Sequence, residues 1–301
     1  MRRSASASAE SPQPMRYVRI HPPTSLCPIF RPLPKGGKRP VLNVSYSAKG
    51  SNVVLRFSAR EALGIPEQTL LLALLEIARQ QYGRDRAQCA LSRKSDGETA
   101  TALWKGLNRG LVDLDGETIR FSTTWMELNQ RCGSITGGSG VALRRAQLQR
   151  LCEVTVWEET QDARRTTQQS CLVTWLLGDD AKLHLALNVR LATSVLGKPF
   201  VLISLAERLS LRSDTAMALH AYYCARVHPT HHLNVSVDTL CQRLWSETDV
   251  PGGTLRRRRK SVRDALKELA ALPGWEVAQH PSDVVCVKRP ELTVRGKSQM
   301  A

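Results

Sequence analysis

No run of about 18 apolar residues occurs in the chain; the longest, Leu70–Leu75, is far too short to cross a bilayer. The basic, Ser/Ala-rich start MRRSASASAESPQP has no apolar core, so a secretory signal is not expected, and Pro12 and Pro14 count against an amphipathic transit peptide. The eight cysteines include no C-x-x-C pair and sit mostly among apolar residues, which predicts reduced thiols packed as small hydrophobes in a cytoplasmic protein. No serine elbow appears, and no active site and no cofactor are expected. The cluster HPTHH (228–232) has no carboxylate or cysteine at ligand spacing, and it reads as an exposed loop rather than a metal site. A DNA-nicking enzyme built on Tyr222 or Tyr223 would need a His-apolar-His pair, which His231-His232 does not supply.

Acidic residues are also scarce. Lys and Arg number 43 against 27 Asp and Glu, a net charge of +16 on 301 residues. Such a surplus specifies no fold but predicts attraction to polyanions, nucleic acid first and acidic membrane second. The length suggests about two domains, and a hydrophobic content of 42 % allows a real core.

Along the chain, residues 1–40 are rich in Pro, Ser and Arg and read as a flexible basic arm. LNVSYS (42–47) and NVVLRFS (52–58) alternate like a hairpin. GIPEQTLLLALLEIARQQYG follows as a nearly all-round apolar helix, the signature of a central core element. Residues 84–117 are polar and carry no clear signal. TIRFS then reads as a strand, TTWMELNQRCG as a short capped helix, and VALRRAQLQRLC as a longer helix after the loop SITGGSG. VTVWEET and SCLVTWLL read as strands around the tip QDARRTTQQ, with LHLALN beyond. The second half repeats the order: VDTLCQRLW, a Gly-Gly-Thr loop, the basic helix TLRRRRKSVRDALKEL, and the hairpin GWEVAQHPSDVVCVKRP. Helix, loop, helix, hairpin is the layout of a winged helix-turn-helix. The expected fold is α+β: a flexible arm (1–40), winged-helix domains at 41–190 and 191–292, and a flexible tail (293–301).

At about 100° per residue, Leu255, Val262, Ala265, Leu266 and Leu269 form one apolar stripe. Arg256, Lys260, Arg263 and Lys267 share one flank, Arg257 lies further round, and Arg258 and Arg259 border the stripe. Arginines piled on a helix entrance are unfavourable unless an anion is bound there, and duplex DNA supplies phosphates. In the first half, Val141, Leu148, Leu151 and Cys152 form the core stripe. Gln147 and Arg150 project roughly opposite, with Arg144 and Arg145 on the borders. Gln can bond adenine and Arg guanine in bidentate fashion, so this helix is expected to read bases. SITGGSG looks like a phosphate loop, but no strand leads into it and no Lys-[Ser/Thr] follows, which argues against a nucleotide site. Arg164 and Arg165 sit at the expected hairpin tip, suited to phosphate or the minor groove. Lys35, Lys38 and Arg39 of the arm could lie along the groove as well.

LHLALN (183–188), SDTAMALHAYY, DTLCQRLW (238–245) and GGTLRRRRKSVRDALKELAALPGW (252–275) together resemble the replication initiators of IncQ-type plasmids, the RepC family. Weaker similarity runs through LCPIFRPL (26–33), LNVSYS and residues 59–64. The resemblance implies a non-enzymatic bacterial cytoplasmic protein that binds directly repeated iterons in double-stranded origin DNA. It would help melt an adjacent A·T-rich segment and let a separate helicase and primase load; a dimer off DNA is compatible with it. It also implies Arg256, Arg257, Arg259, Lys260 and Arg263 as second-domain DNA contacts, and Gln147, Arg150 and their neighbours as the first domain's. A winged-helix repressor, acting on a palindromic operator as a symmetric dimer, is the alternative.

Overall fold

The computed structural model describes residues 17–292 except 35, 49, 109–115, 134–136, 161–164, 198 and 248–249, with the backbone alone at 165–168. At its centre lies the helix Ile65–Arg84, in which Ile65 and every residue from Glu67 to Ala78 is buried. Leucines on all its sides leave no face for water, so elements pack around it from both halves of the chain. Pro66 fits the first turn, where no backbone donor is needed, and Glu67 reaches back to the Gly64 amide at 2.8 Å.

The strands among the described residues form four antiparallel sheets. Leu42–Ser47, Val53–Ala59, Thr155–Thr160 and Arg165–Cys171 form the first, in that order. Ala90–Leu91, Thr118–Thr123, Leu183–Leu187 and Val173–Leu177 form the second. The expected hairpin thus differs in its return arm. Thr155–Thr160 pairs with 165–171, and at Leu172 the chain crosses into the second sheet, so most of SCLVTWLL pairs with LHLAL instead. The third sheet joins Tyr17–Ile20 to Val201–Ser204. In the fourth, Val284–Lys288 lies between His232–Ser236 and Glu276–Gln279.

Among its described residues, the arm expected at 1–40 contributes packed elements from Tyr17 to Phe30. Val18, Ile20, Ile29 and Phe30 are buried, and Pro22–Leu26 forms a short helix that accommodates its prolines at the start. Prolines exclude long regular elements, but they do not stop an extended segment from packing its apolar side chains. Within 84–117, Glu98–Leu107 is an amphipathic helix with Ala100, Leu103, Trp104 and Leu107 turned inward. The halves 41–190 and 191–292 share one apolar cluster, which includes Leu70, Leu148, Leu219 and Val262. Arg208 of the helix Leu205–Ser210 is fully buried across that junction, donating to Thr69 Oγ1 (3.0 Å), Gln68 Oε1 (2.9 Å) and the carbonyls of Ile65 and Met217.

Candidate nucleic-acid interface

The helix Gly252–Ala270 buries Val262, Ala265, Leu266 and Leu269, with Leu255 half-buried at its entrance. It packs by this stripe against Asp214–Arg226 and against the short helix Val237–Trp245. Arg256, Arg257, Lys260 and Lys267 are exposed. The other cations are engaged. Arg259 makes a two-pronged pair with Asp238, both contacts at 2.6 Å, and holds that carboxyl below its usual range through the hydrogen bond and its charge. Arg263 meets Asp283 of the following hairpin turn at 2.6 Å. Arg258 pairs with Glu247 and lies over the Trp245 ring, 5.3 Å from its centroid. Lys267 contacts Asp264 at 3.2 Å, and Arg257 reaches only Thr254, at 3.5 Å. Arg256 and Lys260 have no acidic partner among the described residues. These pairs fix the helix to its preceding helix and its following hairpin, and leave a cationic entrance open.

In the first half, the helix Gly138–Glu153 follows the short helix Trp125–Arg131, which Thr124 caps through the Glu127 amide at 3.1 Å. Leu148 and Leu151 are buried as expected, but so are Arg144 and Gln147, at 6 % and 2 % exposure. Arg144 donates to Asn129 Oδ1 at 3.1 Å and to Gln147 Oε1 at 2.8 Å. The assignment of Arg144 and Gln147 to DNA is therefore corrected: they form a satisfied polar layer between the two helices. Arg150 is turned to the protein too, meeting buried Glu67 at 2.9 Å and Glu61 at 3.3 Å. The solvent face carries Ala142, Arg145, Gln149 and Glu153. Gln149 is the base-reading candidate that the sequence reasoning missed, and Arg145, 5.8 Å over the Trp125 ring, is the cation beside it.

Both basic helices begin without a side-chain cap and without an acidic residue in the first turn. The helices Asp214–Arg226 and Val237–Trp245 are capped by Ser213 and Ser236. An uncapped entrance leaves amide donors and the positive end of the helix dipole available to an anion. Arg164 lies outside the described residues. Arg165 opens the strand Arg165–Cys171, and its side chain is likewise outside them. Of the arm cations, Lys38 is exposed and Lys35 lies outside the described residues. Arg39 pairs with Glu67 at 3.1 Å, so it serves the core rather than a groove. Tyr223 is fully buried, and burial pushes its phenol well above the usual range; this withdraws it further from any nucleophilic role. All eight cysteines are free thiols, five of them buried. No helix among the described residues is long and apolar enough to cross a membrane.

The fold is of mixed helix and sheet and carries two basic helices with exposed cations. The chain matches the Replication protein C (RepC) family over residues 13–291 and belongs to it, which places it among DNA-binding replication initiators. In fold it is similar to domains 2 and 3 of RctB, with a TM-score of 0.55 at 11 % identity, covering 89 % of this chain and 98 % of that one. A second structure of RctB domains 2-3 aligns at a TM-score of 0.49 and 11 % identity, covering 85 % and 93 %. No curated protein matches the sequence.

Proposed function

We propose that the chain initiates replication of an IncQ-type plasmid by binding directly repeated iterons through two winged-helix modules. One observation carries the reading: each half holds a basic helix by its apolar face, after a short helix and before an antiparallel hairpin, with the entrance uncapped. In the second half Arg256, Arg257 and Lys260 are the phosphate contacts, and Arg259 and Arg263 brace the helix until a phosphate competes for them. In the first half Arg145 and Gln149 face the groove. Summed contacts on several repeats offset the several kcal/mol that opening an A·T-rich segment costs. A separate helicase and primase then load on the open strands. The protein itself acts by binding, without catalysis.

The test is the salt dependence of affinity for origin duplex. Arg256→Ala with Lys260→Ala is expected to weaken binding to every sequence and lower the log–log salt slope by roughly 2, at about 0.9 per phosphate. An unchanged slope removes this helix from the interface. A palindromic rather than directly repeated footprint would favour an autorepressor.

A further inference from the structure

Between the two halves lies a cleft of about 420 Å³. Its walls are Ser45 and Tyr46 of the strand Leu42–Ser47, Tyr222 and Arg226 of Asp214–Arg226, and Arg243 of Val237–Trp245, with Cys27 at its base. No carboxylate lines it. Arg226 and Arg243 are exposed, and neither has an acidic partner among the described residues. The hydroxyls of Tyr46 and Tyr222 also find no protein partner there. A smaller recess shares Tyr222 and Arg243 with the cleft and is lined by Ser25, whose buried Oγ makes no hydrogen bond.

Two like charges facing one concavity, without a counter-ion and with hydroxyl donors beside them, describe a site for an anion whose oxygens accept several bonds at once. Guanidinium groups suit phosphate geometry in particular. The cleft's position selects the source. Arg243 shares its helix with Asp238, which holds Arg259 of the second basic helix, while Tyr46 belongs to the first half. The cleft is lined from both halves, each of which carries one basic helix, and a nucleic-acid strand held by both is the source we take.

We propose that the Arg226–Arg243 cleft is a third DNA contact, taking backbone phosphodiester between the stretches held by the two basic helices. This rests on the DNA-binding reading above, and it adds a sequence-independent clamp where the halves meet.

Arg226→Gln with Arg243→Gln should lower the salt slope of binding to origin duplex by roughly 1.8, at about 0.9 per phosphate. Hydroxyl-radical protection between the two main footprints should also be lost. Arg226→Lys with Arg243→Lys should keep the wild-type slope, because the slope counts neutralised phosphates, while the affinity itself falls with loss of the guanidinium fork. A slope unchanged in the Gln pair overturns the proposal, and so does an equal loss in the Lys pair. If wild type and the Arg256/Lys260 variant behave as expected while the cleft variants do not, the cleft alone fails. If wild-type binding shows no salt dependence, the DNA reading fails with it.

Discussion

Gln147 and Gln149 differ by two positions and by everything that surrounds them. Gln147 is 2 % exposed and accepts from Arg144, whereas Gln149 faces solvent on the first basic helix. Gln149→Ala is therefore expected to change the ranking of single-base variants of the binding site while leaving the melting temperature near wild type. Gln147→Ala should cost roughly 1–3 kcal/mol, because it leaves the Arg144 guanidinium short of an acceptor. A competition binding assay over a base-variant panel, paired with chemical denaturation, checks both. His220 offers a second test. It is fully buried, and burial disfavours its charge, but Cys224 and the Glu207 carboxylate at 2.8 Å outweigh that and raise its pKa from 6.5 to about 9. A group whose folded pKa is raised contributes stability in full below pH 6.5 and loses it as pH climbs through about 9. The difference in urea midpoint between wild type and His220→Gln should shrink over that interval; a difference independent of pH would show that the ring is not charged in the fold.

The helices explain which parts were readable. Apolar patterning at helical spacing located Ile65–Arg84 and Gly252–Ala270 because burial there is carried mainly by leucine, isoleucine, alanine and valine. The face of Gly138–Glu153 was misread because its buried side mixes Leu148 and Leu151 with Arg144 and Gln147, and polar residues can be buried when they satisfy each other's hydrogen bonds. Their phase was nevertheless visible, since positions 144, 147, 148 and 151 all fall on one stripe. Glu98–Leu107 also left a signal, Ala100, Leu103, Trp104 and Leu107 being spaced as one helical face, hidden within a polar stretch. That helix gives its own prediction. A Cβ on Gly106 would lie 2.5 Å from Thr174 Oγ1 of the strand Val173–Leu177. Gly106→Ala should therefore destabilise the protein by about 1–3 kcal/mol, and adding Thr174→Ala should restore part of the loss in thermal melts. A Gly106→Ala variant as stable as wild type would mean that the helix does not sit against that strand.

At the scale of the whole molecule, the sequence suggested winged-helix domains at 41–190 and 191–292, and the structure sets the two basic helices on one shared core. Nothing local announces that junction. It depends on the strand Tyr17–Ile20 reaching Val201–Ser204 and on Arg208 crossing to Thr69 and Gln68. Each is a contact between residues too far apart in the chain for any periodicity to betray. Its consequence is mechanical: a shared core fixes the two helices in register, so both must meet the duplex at one separation and one helical phase. Inserting about five base pairs, half a turn of duplex, between the two footprints within a single binding site tests this most directly. The shared core requires that footprinting then show at most one of the two stretches protected and that affinity fall towards the level of a half-site. Both stretches protected at undiminished affinity would contradict the claim that one rigid body carries both helices to DNA.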